Sequence, residues 1–102
     1  MGNYVLTFRA PKGRVPTAEE EARWSQWFAK IGGQITDPGN RVGQVRTAGD
    51  PDRPDVLAGY IVISAESLDA AVTVAEGCPM LLQGGSVEVG ELIPADVTPP
   101  AR

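Results

Sequence analysis

The chain contains no histidine. That absence removes the side chain that titrates nearest neutral pH, and with it imidazole acid–base catalysis, a serine triad and any histidine-built metal site. The acid–base groups left for neutral pH are a carboxyl with a raised pKa or a desolvated lysine. Lys12 and Lys30 fall in a loop and at a helix end, where little desolvation is on offer. Cysteine is nearly as scarce. Cys78 stands alone, so no internal disulfide forms, and a reducing, cytoplasmic setting is the expectation. One thiol with scattered carboxylates does not assemble a transition-metal site, and neither metal nor cofactor is expected. Long apolar runs are also missing, so neither a signal peptide nor a membrane span is expected.

Positive charge is sparse and dispersed. Nine Lys/Arg against thirteen Asp/Glu leave a net charge of −4. Residues 1–51 hold seven basic and five acidic side chains (+2), and residues 52–102 hold two and eight (−6). No basic stripe interleaves with aromatic residues, which excludes the footprint of a nucleic-acid partner. The acidic half reads as a solvated surface that keeps the chain soluble.

What the sequence does hold is the pattern of one small domain. A chain of 102 residues buries about two-thirds of its unfolded surface. Twelve Gly and nine Pro imply many turns. The segment from Gly59 to Ile93 organises the rest. Its continuous apolar run Tyr60–Ile63 reads as a central strand covered on both faces, over Val56–Ala65. Ser67 is placed to cap a helix over Leu68–Glu76, with Asp69 beside the positive end of its dipole and Leu68, Ala71, Val72 and Ala75 forming one apolar stripe. Gly77 and Pro79 end that helix at a Cys-Pro turn. A Gly84-Gly85 turn then leads into an alternating strand, Ser86–Ile93.

Upstream, Asn3–Arg9 alternates as a first strand, with Tyr4, Leu6 and Phe8 on one face and Val5 and Thr7 on the other. Thr17 and Glu20 make a capping box for a helix over Ala18–Ile31, whose Trp24, Trp27, Phe28 and Ile31 share a face. Core packing is the default role of that stripe, with Trp24 also placed to line a cleft or a subunit contact. Gln34–Thr47 reads as one strand interrupted by the turn residues Asp37-Pro38-Gly39-Asn40, giving a short ribbon that projects from the sheet. Residues 48–55 are expected as an exposed loop and 95–102 as a flexible C-terminal tail behind a domain of residues 1–94.

The run from Gly59-Tyr60-Ile61-Val62-Ile63 through Ser67-Leu68-Asp69, Gly77-Cys78-Pro79 and Gly84-Gly85-Ser86-Val87-Glu88-Val89 resembles the C-terminal half of the YCII-related (YciI-like, DGPF-type) family. Trp24, Trp27 and Ile31, with Gly39-Asn40-Arg41-Val42-Gly43, are similar to the W-x-x-W helix and G-N-R-x-G turn of one branch. The likeness covers roughly residues 3 to 94. It implies an α+β, ferredoxin-like βαββαβ fold: an antiparallel sheet in the order 4-1-3-2, two helices on one face, and a cleft between them. It also implies homodimerisation as a dimeric α+β barrel. Many relatives carry Asp-Gly-Pro-Phe/Tyr before the central strand, where this chain has Gly49-Asp50-Pro51-Asp52. In parts of the superfamily a His–Asp pair is the proposed acid–base machinery, and a His often follows the Cys-Pro. Here that position is Met80.

The remaining candidates follow from local chemistry. Cys78 reads as a buried structural thiol, because the helix C-terminus before it raises a thiol pKa. Gly84-Gly85-Ser86 reads as a turn before it reads as an anion-binding nest. Asp69 reads as a helix-start charge. Arg41, with Asn40, is the leading ligand-binding candidate, since an arginine on a structured turn grips a carboxylate or phosphate bidentately. Its alternative is an ion pair with a local carboxylate such as Asp37. Trp24, Arg9 and Glu88 are expected to face the same cleft. The preferred function is a non-catalytic homodimeric module for a small anionic or aromatic ligand. A histidine-free isomerase or dehydrochlorinase, or a structural dimer, are the other two readings.

Overall fold

The computed structural model describes residues 1–50 and 53–94. The tail expected at 95–102 lies outside the described residues. Strand β1 (Gly2–Pro11) leads to helix α1 (Ala18–Ile31), then β2 (Ile35–Arg41), β3 (Asp55–Ala65), α2 (Leu68–Ala75) and β4 (Ser86–Glu91). Short 3-10 segments follow each helix, at Gly32–Gln34 and Pro79–Gln83. The sheet is antiparallel throughout, in the order β2-β3-β1-β4. The architecture is α+β and ferredoxin-like.

Period-two alternation decides which face is covered. Tyr4, Leu6 and Phe8 of β1 stand opposite Ile63, Ile61 and Gly59 of β3 and, on the other side, Glu91, Val89 and Val87 of β4. Tyr4, Leu6, Phe8, Ile61 and Ile63 join Trp27 and Ile31 of α1 and Ala71 and Ala75 of α2 in one core. Both helices therefore lie on the same face. The other face, with Val5 against Val62 and Thr7 against Tyr60, carries no helix and is half-buried.

Both helices start as their caps dictate. The Thr17 hydroxyl accepts the Glu20 N–H at 3.2 Å, and the Glu20 carboxylate accepts the Thr17 N–H at 2.9 Å. Ser67 accepts the Ala70 N–H at 3.1 Å. Only Ala71 and Ala75 of the expected α2 stripe are buried; Leu68 and Val72 are exposed. Small side chains bring that helix down onto the sheet and leave the larger pair at its flank, over a shallow apolar groove shared with Leu81, Val87 and Val89.

The ribbon expected over Gln34–Thr47 does not project. Ile35 pairs with Ile63, Asp37 with Val62 and Asn40 with Tyr60, so β2 twice spends one more residue than β3. The turn chemistry is absorbed as bulges in an edge strand, where Pro38 need not donate a hydrogen bond. Asp37 accepts the Gly39 N–H at 2.8 Å, and Gly39 takes φ +63°. A Cβ there would collide with the Tyr60 carbonyl oxygen. Past Arg41, one bond from Val42 N–H to Ala58 O closes the pairing at 2.9 Å. The exposed residues 43–50 offer no apolar face to bury, so the second arm never forms.

The Cys-Pro turn is also more ordered than expected. Pro79 opens a 3-10 helix whose end is capped by Gly84 in the left-handed region, φ +81°. Gly77 takes no such conformation; the C-cap of α2 is Glu76, in an ordinary helical geometry.

Candidate functional site

A cleft of about 650 Å³ opens between the helix-covered face of the sheet and α1. Its floor is Phe8 of β1 with Ala58, Gly59 and Ile61 of β3. The β1–β3 register slips between Phe8 and Arg9, leaving Ala58 as an extra residue where β3 bends at the cleft. One wall is α1, whose Glu21, Trp24, Ser25 and Phe28 recur at helical spacing. The opposite rim is the β2 bulge, Pro38 to Arg41. Arg14 and Pro16 close one end, and Met80 and Gln83 enter from the 3-10 helix.

Aromatic rings fix the α1 wall. Trp24 meets Phe8 edge-on at 4.9 Å between centroids and Phe28 in a tilted contact at 5.7 Å. Its indole N–H donates to the Gln83 side-chain oxygen at 2.7 Å. Phe28, expected as core, is half-buried and lines the cleft; Trp27, one position earlier, is the buried member of the pair.

Two arginines border the space in different states. Arg14 donates to Glu20 at 2.5 Å, which with the Thr17 backbone N–H holds the Glu20 carboxyl down at about 2; the same bond raises Arg14. Arg41 is exposed on the rim, and its guanidinium makes no hydrogen bond or ion pair among the described residues. Asp37, its expected structural partner, is occupied by the Gly39 N–H. Asn40 is tied instead to the Tyr60 hydroxyl at 3.0 Å.

Of the five candidates, the fold brings Trp24, Asn40 and Arg41 together at the cleft. Arg9 and Glu88 are not among its lining residues. Phe8 points into the cleft, so alternation turns Arg9 away, toward Asp55 at 3.7 Å, which Arg53 shares at 3.4 Å. Glu88 stands opposite Thr7 and is exposed. Cys78 is buried, and desolvation pushes its thiol up to about 12, which leaves it protonated at neutral pH. Gly84-Gly85-Ser86 forms no anion nest, because the Gly85 N–H is spent on the Met80 carbonyl at 3.0 Å. Asp69 is exposed on α2, outside the cleft. Glu21 and Ser25 were findable as the flanks of Trp24 on a helix face. Arg14 and Gln83 carry no local signal at all.

The sequence profile of YCII-related domains matches residues 13–96. The chain belongs to the YCII-related domain family. No curated protein matches it. Among solved structures, this YCII-related domain is similar to a 5-chloro-2-hydroxyhydroquinone dehydrochlorinase from Burkholderia phenoliruptrix AC1100, solved in complex with 2,5-dihydroxybenzoquinone. The two share 16% identity over 88% of this chain and 93% of the other, with a TM-score of 0.54. At that identity the likeness is one of fold. Among the described residues no helix is long and apolar enough to cross a membrane, and no three His, Cys, Asp or Glu side chains are grouped to hold a metal ion.

Proposed function

We propose that this YCII-related domain is a cytoplasmic homodimer that binds a small aromatic anion in its cleft without transforming it. The observation that carries this reading is Arg41: a guanidinium with no partner among the described residues, on the rim of an aromatic-walled cleft. A planar fork held on a structured bulge loses little entropy on gripping a carboxylate. The volume falls in the range of small-molecule sites. The dehydrochlorinase of similar fold was captured with a planar oxygenated ring.

A thermal-shift panel of benzoates, aliphatic carboxylates and phosphate tests it. At a hundredfold excess over Kd, an aromatic carboxylate stabilises by about 2.7 kcal/mol, a rise of roughly 10 °C or more. Arg41→Ala should keep its own melting temperature and lose the ligand-induced rise. If no aromatic carboxylate stabilises the wild type, the reading is wrong.

Homodimerisation is supported by the helix-free face of the sheet, where Val5 and Val62 pair beside Thr7 and Tyr60. Light scattering at micromolar concentration should return twice the chain mass, and a monomer mass would refute it. One observation favours a catalytic role: Glu21 is the carboxylate among the described lining residues, available as a proton acceptor. Turnover of chlorinated hydroquinones that Glu21→Gln abolishes would establish that alternative.

A further inference from the structure

We infer that Gln83 is a binding residue presenting a fixed amide donor to the cleft, so that the site selects aromatic anions carrying a second, carbonyl-type acceptor oxygen. This rests on the aromatic-anion reading and adds to it a second polar contact besides Arg41.

Gln83 closes the 3-10 helix Pro79–Gln83 and is 7% exposed, yet it lines the cleft. A polar side chain that buried is held by partners. Its partner is the Trp24 indole N–H at 2.7 Å, a group that only donates. The atom facing it must be the amide oxygen, which fixes the orientation of the whole amide. The Nε2 group, with its two N–H donors, then has no partner among the described residues.

Neither member of the pair is free to turn away. Trp24 is wedged between Phe8 and Phe28. The backbone of Gln83 is set by Pro79 at one end of its helix and by the left-handed Gly84 cap at the other. The donor is thus preorganised, and solvent water satisfies it wherever no ligand does. A ligand that displaces that water without supplying an acceptor leaves a largely buried amide unpaired. A bare benzoate meets Arg41 but not Gln83. A ring bearing a carboxylate and, elsewhere on the ring, a carbonyl oxygen meets both.

Calorimetric titration with isosteric probes isolates this contact. The pairs are 3- and 4-acetylbenzoate against 3- and 4-isopropenylbenzoate, which differ by C=O for C=CH2. The wild type should prefer the acetyl member of at least one pair by about three- to tenfold. Gln83→Glu keeps an oxygen for the Trp24 N–H while replacing the donor with an acceptor, and it should abolish or reverse that preference. Gln83→Met serves the same comparison if the first variant does not fold. If both isosteres bind the wild type equally and both depend on Arg41, this inference fails and the aromatic-anion reading stands. If the preference survives the loss of the amide, it also fails. If neither isostere binds, both fall.

Discussion

Replacing Gly39 with alanine tests the β2 bulge, where fold and cleft meet. Gly39 sits at φ +63°, in the left-handed region. An L-residue there costs about 1–2 kcal/mol. A Cβ would also fall on the carbonyl oxygen of Tyr60 and within 3.1 Å of its ring. That carbonyl belongs to β3, a central strand, so the edge strand has to move. Lifting the bulge weakens the Asn40–Tyr60 pairing and the side-chain bond between them, at about 1 kcal/mol for each bond lost.

The expected destabilisation of Gly39→Ala is about 3 kcal/mol in all, a fall in Tm of about 15 °C. A domain of this length has about 5–15 kcal/mol of stability, so the variant still folds at 25 °C. Two companions separate the causes. Gly13 has φ +74° with nothing within 4 Å, so Gly13→Ala carries the backbone cost alone, about 5–10 °C. Gly32 has open space and no positive φ, so Gly32→Ala should melt close to wild type. Thermal unfolding by circular dichroism reads all three. A Gly39→Ala that melts no lower than Gly13→Ala would refute the close approach. Because Asn40 and Arg41 share the bulge, Gly39→Ala should also weaken benzoate binding, whereas Gly13→Ala should not.

The depressed Glu20 carboxyl makes a pH prediction. Its folded value of about 2 lies below the ordinary 4.3 or so, hence its contribution is full above about pH 4.3 and fades as pH falls toward 2. Glu20→Gln should flatten that part of the acid stability profile and leave its slope above pH 5 unchanged; an unaltered profile would deny the Arg14–Glu20–Thr17 arrangement. Burial of Cys78 predicts that a thiol reagent at pH 8 modifies the native protein at a small fraction of its rate in guanidinium. Rapid labelling of the native state would mean the thiol is reachable.

Local chemistry settled most of the elements before any contact was known. The Thr17–Glu20 box starts α1 where the sequence places it, because its bonds span only three residues. Alternation separates Tyr4, Leu6 and Phe8 from Val5 and Thr7, because a strand has only two faces; packing against the helices decided that the first set is the buried one. Arg41 was visible as a candidate because Pro38, Gly39 and Asn40 announce an irregular backbone beside it.

What those turn residues do was settled by the partner strand. The same Asp-Pro-Gly-Asn that would turn a free ribbon becomes a bulge when β3 supplies hydrogen bonds on one side. The register slip at Phe8 and Arg9, a property of two strands together, left Ala58 as an extra residue at the cleft, while alternation within β1 and β4 kept Arg9 and Glu88 out of it. Gln83 lies 59 residues from Trp24, and nothing around it in the chain marks it. Its meaning comes from the 3-10 helix that Pro79 and Gly84 delimit and from the way α1 packs on the sheet. Sequence periodicity fixes which way a side chain points within its own element. Only packing between elements decides what it meets there.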